Sequence, residues 1–345
     1  MEPSNASRQI GPYTWLSLAL AVLSCCACGS SGSSSASVRI AVGGQAALRF
    51  FPVYLAHEIG AYKAEGLTVT IDGFPGSARA LQALEGGSAD VAAGFYDQTQ
   101  TIQAEGRTVT SFFVLTKYLG FVLVASPKAS GPFNSISDLK GAKVGVAAPG
   151  SSGHILLNGL LARQGLKPED VAIVSIGTGG QSIISLERGL VDAAVVADLV
   201  VVALKRNHAN LKILVDTRTA EGLLQSLGAS DYPGSVLYAD AAWLAVHDQE
   251  ALALARAMKR TLEWVHSHTP KEVAAKLKDV YATEDASILE EALSTTIAIL
   301  SPDGRMQPGA PETVRQALSQ SNEKIRSTIL PIEDTFTNRF VDRIQ

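Results

Sequence analysis

Two serines and a histidine lie close together in the segment Pro149–His154, which has the sequence Pro-Gly-Ser-Ser-Gly-His. Serine and histidine are the residue types of a nucleophile and its general base. The nucleophile elbow G-x-S-x-G, however, would need a glycine at position 154, where this chain has His154. Ser152 and His154 also lie two residues apart at a predicted helix start, a spacing at which side chains do not face each other. We therefore expect Ser151, Ser152 and the helix-start amides to hold a ligand, with His154 either donating to that ligand or packed on its helix.

The sequence contains no motif of a metal-binding or cofactor-binding site. The segment His266–His268 follows Glu263 but does not form H-E-x-x-H, and alternate residues do not share a helix face. Every cysteine lies between Cys25 and Cys28, so thiolate catalysis, disulfides and cysteine metal sites are not expected in the residues that follow. We expect neither a metal nor a cofactor, and we assign no catalytic residue.

The composition predicts a chain with a large hydrophobic core. It has 345 residues, of which 46% are hydrophobic and 18% charged, and its formal net charge is −4. A chain of this length is expected to form two lobes or domains. Its acidic balance and the lack of a Lys/Arg cluster argue against a nucleic-acid partner.

The first 28 residues are predicted to form an export signal. An apolar run over 15–23, too short to span a membrane, follows Arg8 and precedes small residues and cysteines. The pattern resembles a bacterial lipoprotein signal, in which the first mature residue is a lipidated cysteine. Cys28 fits that role, Cys25 is the alternative acceptor, and residues 29–37 would form a flexible tether. We expect an exported, lipid-anchored protein in the periplasm or on the outer face of the cytoplasmic membrane; a plain cleaved signal peptide is the alternative.

The rest of the chain alternates short β-rich runs with helical patterns, which predicts an α/β fold with mostly parallel sheets. The predicted strands are 38–42, 67–71, 90–93, 121–124, 143–146, 171–176 and 192–196. From about residue 239 the pattern is mostly helical. The predicted C-terminal helices are 249–265, 270–280, 287–300 and 311–329.

An internal repeat divides this pattern into two similar halves. The motif L-E-x-G-x-x-D occurs at Leu84–Asp90 and again at Leu186–Asp192, 102 positions later. Each copy is preceded by a strand, a glycine-rich turn and a helix, so we expect two α/β lobes in tandem. Because Asp90 and Asp192 occupy the same place in both copies, we expect them to cap turns of the scaffold rather than to contact a ligand.

Ligands of open parallel sheets bind beyond the carboxyl ends of the strands, where four turns of this chain are rich in glycine, serine and glutamine. Glycine lets the backbone approach closely, and the amides of a helix start can hold an anionic group. Polar residues that differ between the two copies are the stronger candidates. The predicted contacts are Gly44, Gln45, Gly76, Ser77, Tyr96, Asp97, Ser151, Ser152, His154, Gln181, Ser182 and Asp198. For Asp97 and Asp198, helix capping is the alternative.

Six segments make the chain resemble a known family. They are VRIAV (38–42), FPVYLAHEIGAYKAEGL (51–67), LEGGSAD (84–90), ISDLKGAKVG (136–145), GSSGH (150–154) and LSPDGRM (300–306). In this order they resemble the nitrate/sulfonate/taurine and thiamine-precursor (NMT1/THI5-like) substrate-binding proteins of ABC importers, over about residues 38 to 320.

The resemblance implies a two-lobed type II periplasmic-binding-protein fold with the ligand cleft between the lobes and the contacts named above. Lobe I would comprise 38–125 and 236–345, with the C-terminal helices returning to it, and lobe II would comprise 126–235. Two crossovers would join the lobes, near 125–134 and 215–238. The family also includes enzymes of pyrimidine synthesis with a cysteine-rich motif, which this chain lacks after Cys28.

The implied function is that of a monomeric, lipid-tethered receptor. It would close its lobes on a small polar organic solute and deliver it to an ABC permease in the membrane. Tyr96, Asp97 and Asp198 suit an amine, and helix N-termini suit an anion, so an aminosulfonate, a sulfonate or a pyrimidine-like solute is expected. The alternatives are an enzyme of the same fold that acts on a small heterocycle, and a ligand-sensing module for a membrane partner.

Overall fold

Two five-stranded sheets form the framework of the residues that this computed structural model describes, which are 36–44, 47–229, 231–281 and 285–344. The predicted signal peptide, both candidate lipidation cysteines and Gln45 lie outside the described residues. The strands are β1 Ala36–Gly43, β2 Leu67–Phe74, β3 Val91–Phe95, β4 Val109–Val114, β5 Val122–Ala125, β6 Lys143–Val146, β7 Ala172–Ser175, β8 Ala193–Val196, β9 Ile213–Asp216 and β10 Ser235–Asp240.

The two sheets repeat one topology, as the duplicated motif predicts. Their strand orders are β2-β1-β3-β10-β4 and β7-β6-β8-β5-β9. In the first sheet β1 runs parallel to β2 and β3, whereas β10 is antiparallel to β3 and β4. In the second, β6 runs parallel to β7 and β8, whereas β5 is antiparallel to β8 and β9. Each sheet therefore has one strand that opposes the other four. The central strands β3 and β8 are fully buried, which explains their continuous apolar sequences.

The first crossover between the sheets lies earlier than the sequence analysis places it. Strand β5 pairs with β8 and β9, so it belongs to lobe II, whereas the predicted boundary at residue 125 assigned it to lobe I. The change of sheet occurs between Val114 and Val122. An apolar run identifies a strand but not the sheet that it joins, and β4, the true last strand before the change, was not predicted. The second crossover, between Asp216 and Ser235, falls inside its predicted range.

Helices cover both faces of the sheets, and most of the C-terminal ones pack on lobe I. The helices are α1 Phe51–Glu58, α2 Ala61–Ala64, α3 Ser77–Glu85, α4 Tyr96–Ala104, α5 Ser152–Arg163, α6 Gly180–Glu187, α7 Asp198–Asn207, α8 Ala220–Leu227, α9 Ala241–Val246, α10 Asp248–His266, α11 Pro270–Leu277, α12 Ala286–Ala298, α13 Ala310–Ser319, α14 Glu323–Ser327 and α15 Arg339–Asp342. Helix α10 packs against α1 and α2, and α13 and α14 pack against α4. Helix α12 differs, because it packs mainly against α11 and against α7 of lobe II.

The repeated aspartates join neighbouring strands. The main-chain N–H of Arg39 in β1 donates to Asp90 Oδ2 at 2.8 Å, and that of Lys143 in β6 donates to Asp192 Oδ2 at 2.9 Å. Both carboxylates therefore accept the same bond, at strand starts and away from the loops that follow the strand ends. Their scaffold role is as expected, although they fix a neighbouring strand rather than cap a turn.

Candidate ligand site between the lobes

The loops at the carboxyl ends of the strands meet across the boundary between the lobes at three places. The Ser152 hydroxyl of lobe II donates to Asp97 Oδ1 of lobe I at 2.7 Å. A Cβ atom at Gly76 would lie 3.7 Å from the Cβ of Ala148, and one at Gly44 would lie 3.9 Å from the Thr178 methyl group. Several turns predicted from the sequence are thus brought face to face, and the lobes are in contact.

Asp97 is the acidic group of this contact. It is the second residue of α4, where the helix start favours a carboxylate, yet only 1% of it is exposed. Its Oδ1 accepts from Ser152, whereas its Oδ2 has no hydrogen-bond partner in the described part of the chain. Burial raises the pKa of this carboxyl group to about 7, although the bonds from Ser152 and from the Gln98 backbone oppose that change. Asp97 is therefore a buried acid with one oxygen still free to bind.

The opposing helix start of lobe II is formed by the Pro149–His154 segment. Gly150 adopts a φ of +76°, which turns the chain so that Ser151 precedes α5 as its N-cap. The Ser151 hydroxyl is buried and has no partner among the described residues. The Gly150 N–H donates to His154 Nδ1 at 3.0 Å, which leaves the imidazole proton on Nε2. Burial lowers the pKa of His154, so the ring is neutral at physiological pH.

This geometry gives no support to the Ser-His interpretation. The Ser152 hydroxyl donates to a carboxylate of the other lobe, and His154 uses its acceptor nitrogen to hold its own turn. No hydrogen bond joins Ser152 to His154 within the described residues. The segment is instead a helix start whose N-cap serine, Ser151, makes no side-chain capping bond and keeps a buried hydroxyl without a partner among the described residues.

A buried cation, Arg49, lies next to this contact and was missed by the sequence analysis. Its guanidinium donates to the carbonyl of Leu119 and, at 3.1 Å, to that of Gly120, both in the first crossover. Its Cζ lies 4.0 Å from the ring centroid of Phe121 and 5.2 Å from that of Phe95. A Cβ at Gly153 in α5 would lie 3.6 Å from the Phe121 ring, so Arg49 and the helix start share this aromatic wall.

The charge of Arg49 has no carboxylate within ion-pair distance in the part of the chain that the structure describes. The residue is 2% exposed, and burial lowers the pKa of its guanidinium to about 10, with Asp198 acting against that change from a longer distance. A fully buried and unpaired cation is rare because its desolvation is costly. Arg49 therefore has the properties expected of an anion-binding group.

Two predicted contact residues have other partners. The Tyr96 side chain is turned into lobe I, where its hydroxyl bonds Thr335 and accepts from Gln100. Asp198 begins α7 and uses both carboxylate oxygens, one accepting from Arg218 at 3.0 Å and the other from Thr296 at 2.9 Å. Neither side chain has a free polar atom directed to the contact between the lobes.

The remaining predicted residues also lie near the strand ends. Ser77 begins α3 and packs on Gly43, where any side chain would collide with it. Ser182 donates to the Gly177 carbonyl at 2.9 Å and closes its own turn, while Gln181 is exposed. Gln45 lies outside the described residues, so its place stays a prediction.

A local signal for Arg49 did exist in the sequence. It is the one charged residue in the run Ala46-Ala47-Leu48-Arg49-Phe50-Phe51-Pro52-Val53, and it follows a predicted cleft turn. A cation inside an apolar segment must either reach solvent or meet a partner in the fold. That consideration would have added Arg49 to the candidates, whereas its stacking on Phe121 depends on a crossover 70 residues away.

Other kinds of site have no support in the described residues. They contain no group of three or more His, Cys, Asp or Glu side chains placed to hold a metal ion. None of the helices in this part of the chain combines the length and the apolar character needed to cross a membrane. A cavity of about 450 Å³ does lie beside the crossovers, and its walls include Lys117, Tyr118, Asp231 and Arg305. It contains none of the predicted contact residues.

The fold and the opposed loops define a class of protein. Two mixed sheets linked by two crossovers, with loops meeting between the lobes, are the type II periplasmic-binding-protein fold that the sequence predicts. The family model described as NMT1/THI5 like matches residues 48–272, more than half of the chain. The chain therefore belongs to the NMT1/THI5-like family.

Solved structures agree with this assignment. A protein of Bordetella bronchiseptica RB50 is 32% identical, with a TM-score of 0.83 over 90% of this chain and 97% of that one. The alkanesulfonate-binding protein SsuA of Xanthomonas axonopodis pv. citri, bound to MOPS, is 16% identical, with a TM-score of 0.69 over 88% and 99%. The periplasmic nitrate-binding protein NrtA of Synechocystis PCC 6803 is 12% identical, with a TM-score of 0.68 over 89% and 88%. The last two show likeness of fold alone. No curated protein sequence matches the chain.

Proposed function

We propose that this protein is the extracytoplasmic solute receptor of an ABC importer. It binds a small polar organic solute, such as a sulfonate, an aminosulfonate or a pyrimidine-like compound, by closing its two lobes. It then delivers the solute to a permease, and no bond of the solute is made or broken. The family membership and the binding of alkanesulfonate and nitrate by proteins of similar fold support this function.

The observation that most directly supports a solute with an anionic group is the buried guanidinium of Arg49. Two of its five N–H donors hold crossover carbonyls, so the remaining donors are available to a sulfonate or a similar group. An anion bound there would neutralise a cation that the described residues leave unpaired. Because Arg49 also holds Leu119 and Gly120, the same anion would be linked to the crossover about which the lobes move.

Closure of the lobes is supported by the direct contact of Asp97 with Ser152. A hinge-closing receptor needs groups on both lobes that lie near each other only when the lobes are together. Export and lipid attachment through Cys28, or through Cys25, complete the proposal. Incorporation of labelled palmitate that is lost in Cys28→Ala and kept in Cys25→Ala would support the first assignment, and the reverse pattern would support the second.

Native mass spectrometry of the protein, purified without unfolding, tests the receptor function. We expect a fraction of the molecules to retain a small solute, and a panel of sulfonates, aminosulfonates, pyrimidines and oxyanions to contain compounds that raise the melting temperature. Arg49→Gln keeps an amide that can still donate to one carbonyl but removes the charge. It should weaken binding by at least about tenfold, the loss expected when a charge-assisted hydrogen bond is removed.

Arg39→Gln is the matched control, since Arg39 is an exposed cation paired with Asp90 at the other end of the sheet. It should bind like the wild-type protein. Equal binding by Arg49→Gln would contradict the role given to Arg49. Failure to retain any solute, together with no response to any member of the panel, would contradict the receptor function itself.

A further inference from the structure

Two buried polar atoms on facing lobes have no hydrogen-bond partner among the described residues. They are Oδ2 of Asp97, a residue 1% exposed, and Oγ of Ser151, a residue 3% exposed. Buried polar atoms are nearly always hydrogen-bonded, because leaving one unsatisfied costs the full desolvation of the group. Each of these two oxygens therefore requires a reason for being left unpaired.

The two atoms belong to a single place in the fold. Ser152, the residue after Ser151, donates to the other oxygen of the same Asp97 carboxylate at 2.7 Å. The next residue, Gly153, lies against Phe121, on which Arg49 is stacked at 4.0 Å. Phe121 thus contacts both the start of α5, which carries Ser151 and Ser152, and the unpaired cation Arg49.

The chemistry of the two oxygens restricts which groups can form hydrogen bonds with them. An ionised carboxylate only accepts hydrogen bonds, and a hydroxyl can accept while it donates elsewhere. A sulfonate or another oxyanion offers acceptors only, so it can bind at Arg49 but would be repelled by the ionised Asp97 carboxylate, the form that predominates above a pH of about 7. An N–H group is the complementary partner, and an ammonium group would also neutralise the carboxylate.

We propose that the solute has an amino or ammonium group that donates to Asp97 Oδ2, with Ser151 Oγ as a second acceptor, in addition to the anionic group held by Arg49. The inference rests on the proposed function and narrows its solute class to zwitterions and amino-substituted anions. The receptor selects these solutes against plain oxyanions, since a solute without an N–H donor leaves Asp97 unsatisfied in the closed protein.

A carboxylate in the first turn of the corresponding helix of lobe II supports the choice of Asp97. Asp198 follows the third strand of its repeat as Asp97 does, but Arg218 and Thr296 bond both of its oxygens. Side chains of the protein thus bond both oxygens of Asp198. In the described residues, Asp97 keeps one oxygen without a partner at the contact between the lobes.

The test uses pairs of probes that share an anionic group and differ only in an amino group. We would titrate 2-aminoethanesulfonate against ethanesulfonate and 3-aminopropanesulfonate against propanesulfonate at pH 8. For the pair that the wild-type protein binds, calorimetry should give a dissociation constant at least about tenfold lower for the amino member, the size expected when a buried acceptor is left unpaired.

Asp97→Asn should abolish this preference. The asparagine Oδ1 can still accept from Ser152, whereas its amide places a donor where the carboxylate had an acceptor. Ser151→Ala should reduce the preference by a smaller factor, about threefold. It removes a hydroxyl without a partner among the described residues, so it should fold even if Asp97→Asn does not. Asp192→Asn, which changes a scaffold carboxylate at the strand starts, is the matched control and should retain the full preference.

The outcomes separate the inference from the function on which it rests. Amino-free members that bind as tightly as their amino partners would overturn the inference and leave the receptor function standing; a water molecule at Asp97 would give this result. A preference that persists in both Asp97→Asn and Ser151→Ala would also overturn it. Failure of every probe to bind, with no solute retained on purification, would overturn the receptor function and the inference together.

Discussion

Asp97 and Asp198 lie in the first turns of corresponding helices in the two lobes, one position apart in the repeat, yet their surroundings are opposite. Asp97 is the second residue and Asp198 the first residue of the helix that follows the third strand of its repeat, and each is at most 3% exposed. Asp198 has a partner on both oxygens, whereas Asp97 has a partner on one. A carboxylate in this helix turn can therefore belong to the scaffold or to the ligand site, and its hydrogen-bond partners determine which.

The partners of Asp198 come from outside the repeated unit. Arg218 lies in the second crossover, and Thr296 lies in α12, the C-terminal helix that packs against lobe II. At the other end of α7, Arg206 pairs with Asp285 and Glu291. The bonds from Arg218 and Thr296 therefore fix the start of α7 to two other elements. No such segment reaches the free oxygen of Asp97 in the described residues, and a solute can take that place.

The largest expected effect is the difference in stability between the alanine variants of the two carboxylates. Asp198→Ala leaves Arg218, whose side chain is 11% exposed, with one carboxylate fewer and opens a small cavity, so it should lower the free energy of unfolding by about 3 kcal/mol. Asp97→Ala removes a buried acid that is only half satisfied. Relief of its desolvation offsets the lost bond to Ser152, and we expect a change of less than about 1 kcal/mol. Urea unfolding at pH 8 without solute measures both values.

Asp248→Ala is a control for the general effect of losing an ion pair. Asp248 pairs with Arg343 on the surface, where such a pair contributes up to about 1 kcal/mol. If Asp97→Ala and Asp198→Ala lowered the free energy of unfolding by similar amounts, the distinction between a carboxylate with partners on both oxygens and one with a free oxygen would be contradicted.

A smaller effect should be visible in the pH dependence of the solute-free protein. Burial raises the pKa of Asp97 to about 7, whereas an unfolded chain has a pKa near 3.9 for aspartate. Between these values the folded state binds more protons than the unfolded state, so stability falls as the pH rises from about 4 to 7 and is constant above. We expect the wild-type protein to lose about 2 kcal/mol over this range relative to Asp97→Asn, allowing for partial relaxation of the burial cost.

Among the other groups near Asp97, His154 titrates in the wild-type protein and in Asp97→Asn alike, because burial lowers its pKa, and its contribution cancels when the two proteins are compared. Burial raises the pKa of Tyr232 and of Tyr238 well above its usual value, so both remain neutral, and Arg49 keeps its charge with a pKa of about 10. The difference between the two proteins therefore isolates Asp97. Parallel curves for the wild-type protein and Asp97→Asn would show that the carboxyl group titrates normally and is open to water.

The comparison also explains how much the sequence alone can predict. The motif at Leu84–Asp90 and its copy predict the duplicated sheets, because a strand, a turn and a helix leave local periodic patterns. Glycine-rich turns predict the cleft loops for the same reason. The second partner of Asp198 is Thr296, 98 residues further along, and the ring on which Arg49 stacks is Phe121. Such pairings follow from the topology and have no local pattern. The sequence therefore identifies candidate residues, and only the fold shows which of them have all their polar atoms paired within the protein.

The smallest expected effect concerns the two serines that face Asp97. Ser152→Ala removes the donor to Asp97 Oδ1 and should lower stability by about 1 kcal/mol, the usual contribution of one buried hydrogen bond. Ser151→Ala removes a hydroxyl that is buried without a partner, so stability should be unchanged or rise by up to about 0.5 kcal/mol. Each serine is the control for the other, since both lie at the same helix start and lose the same atom. A destabilisation by Ser151→Ala that equals that of Ser152→Ala would mean that the Ser151 hydroxyl is satisfied by the protein itself, and the free acceptor assigned to the solute would then be Asp97 alone.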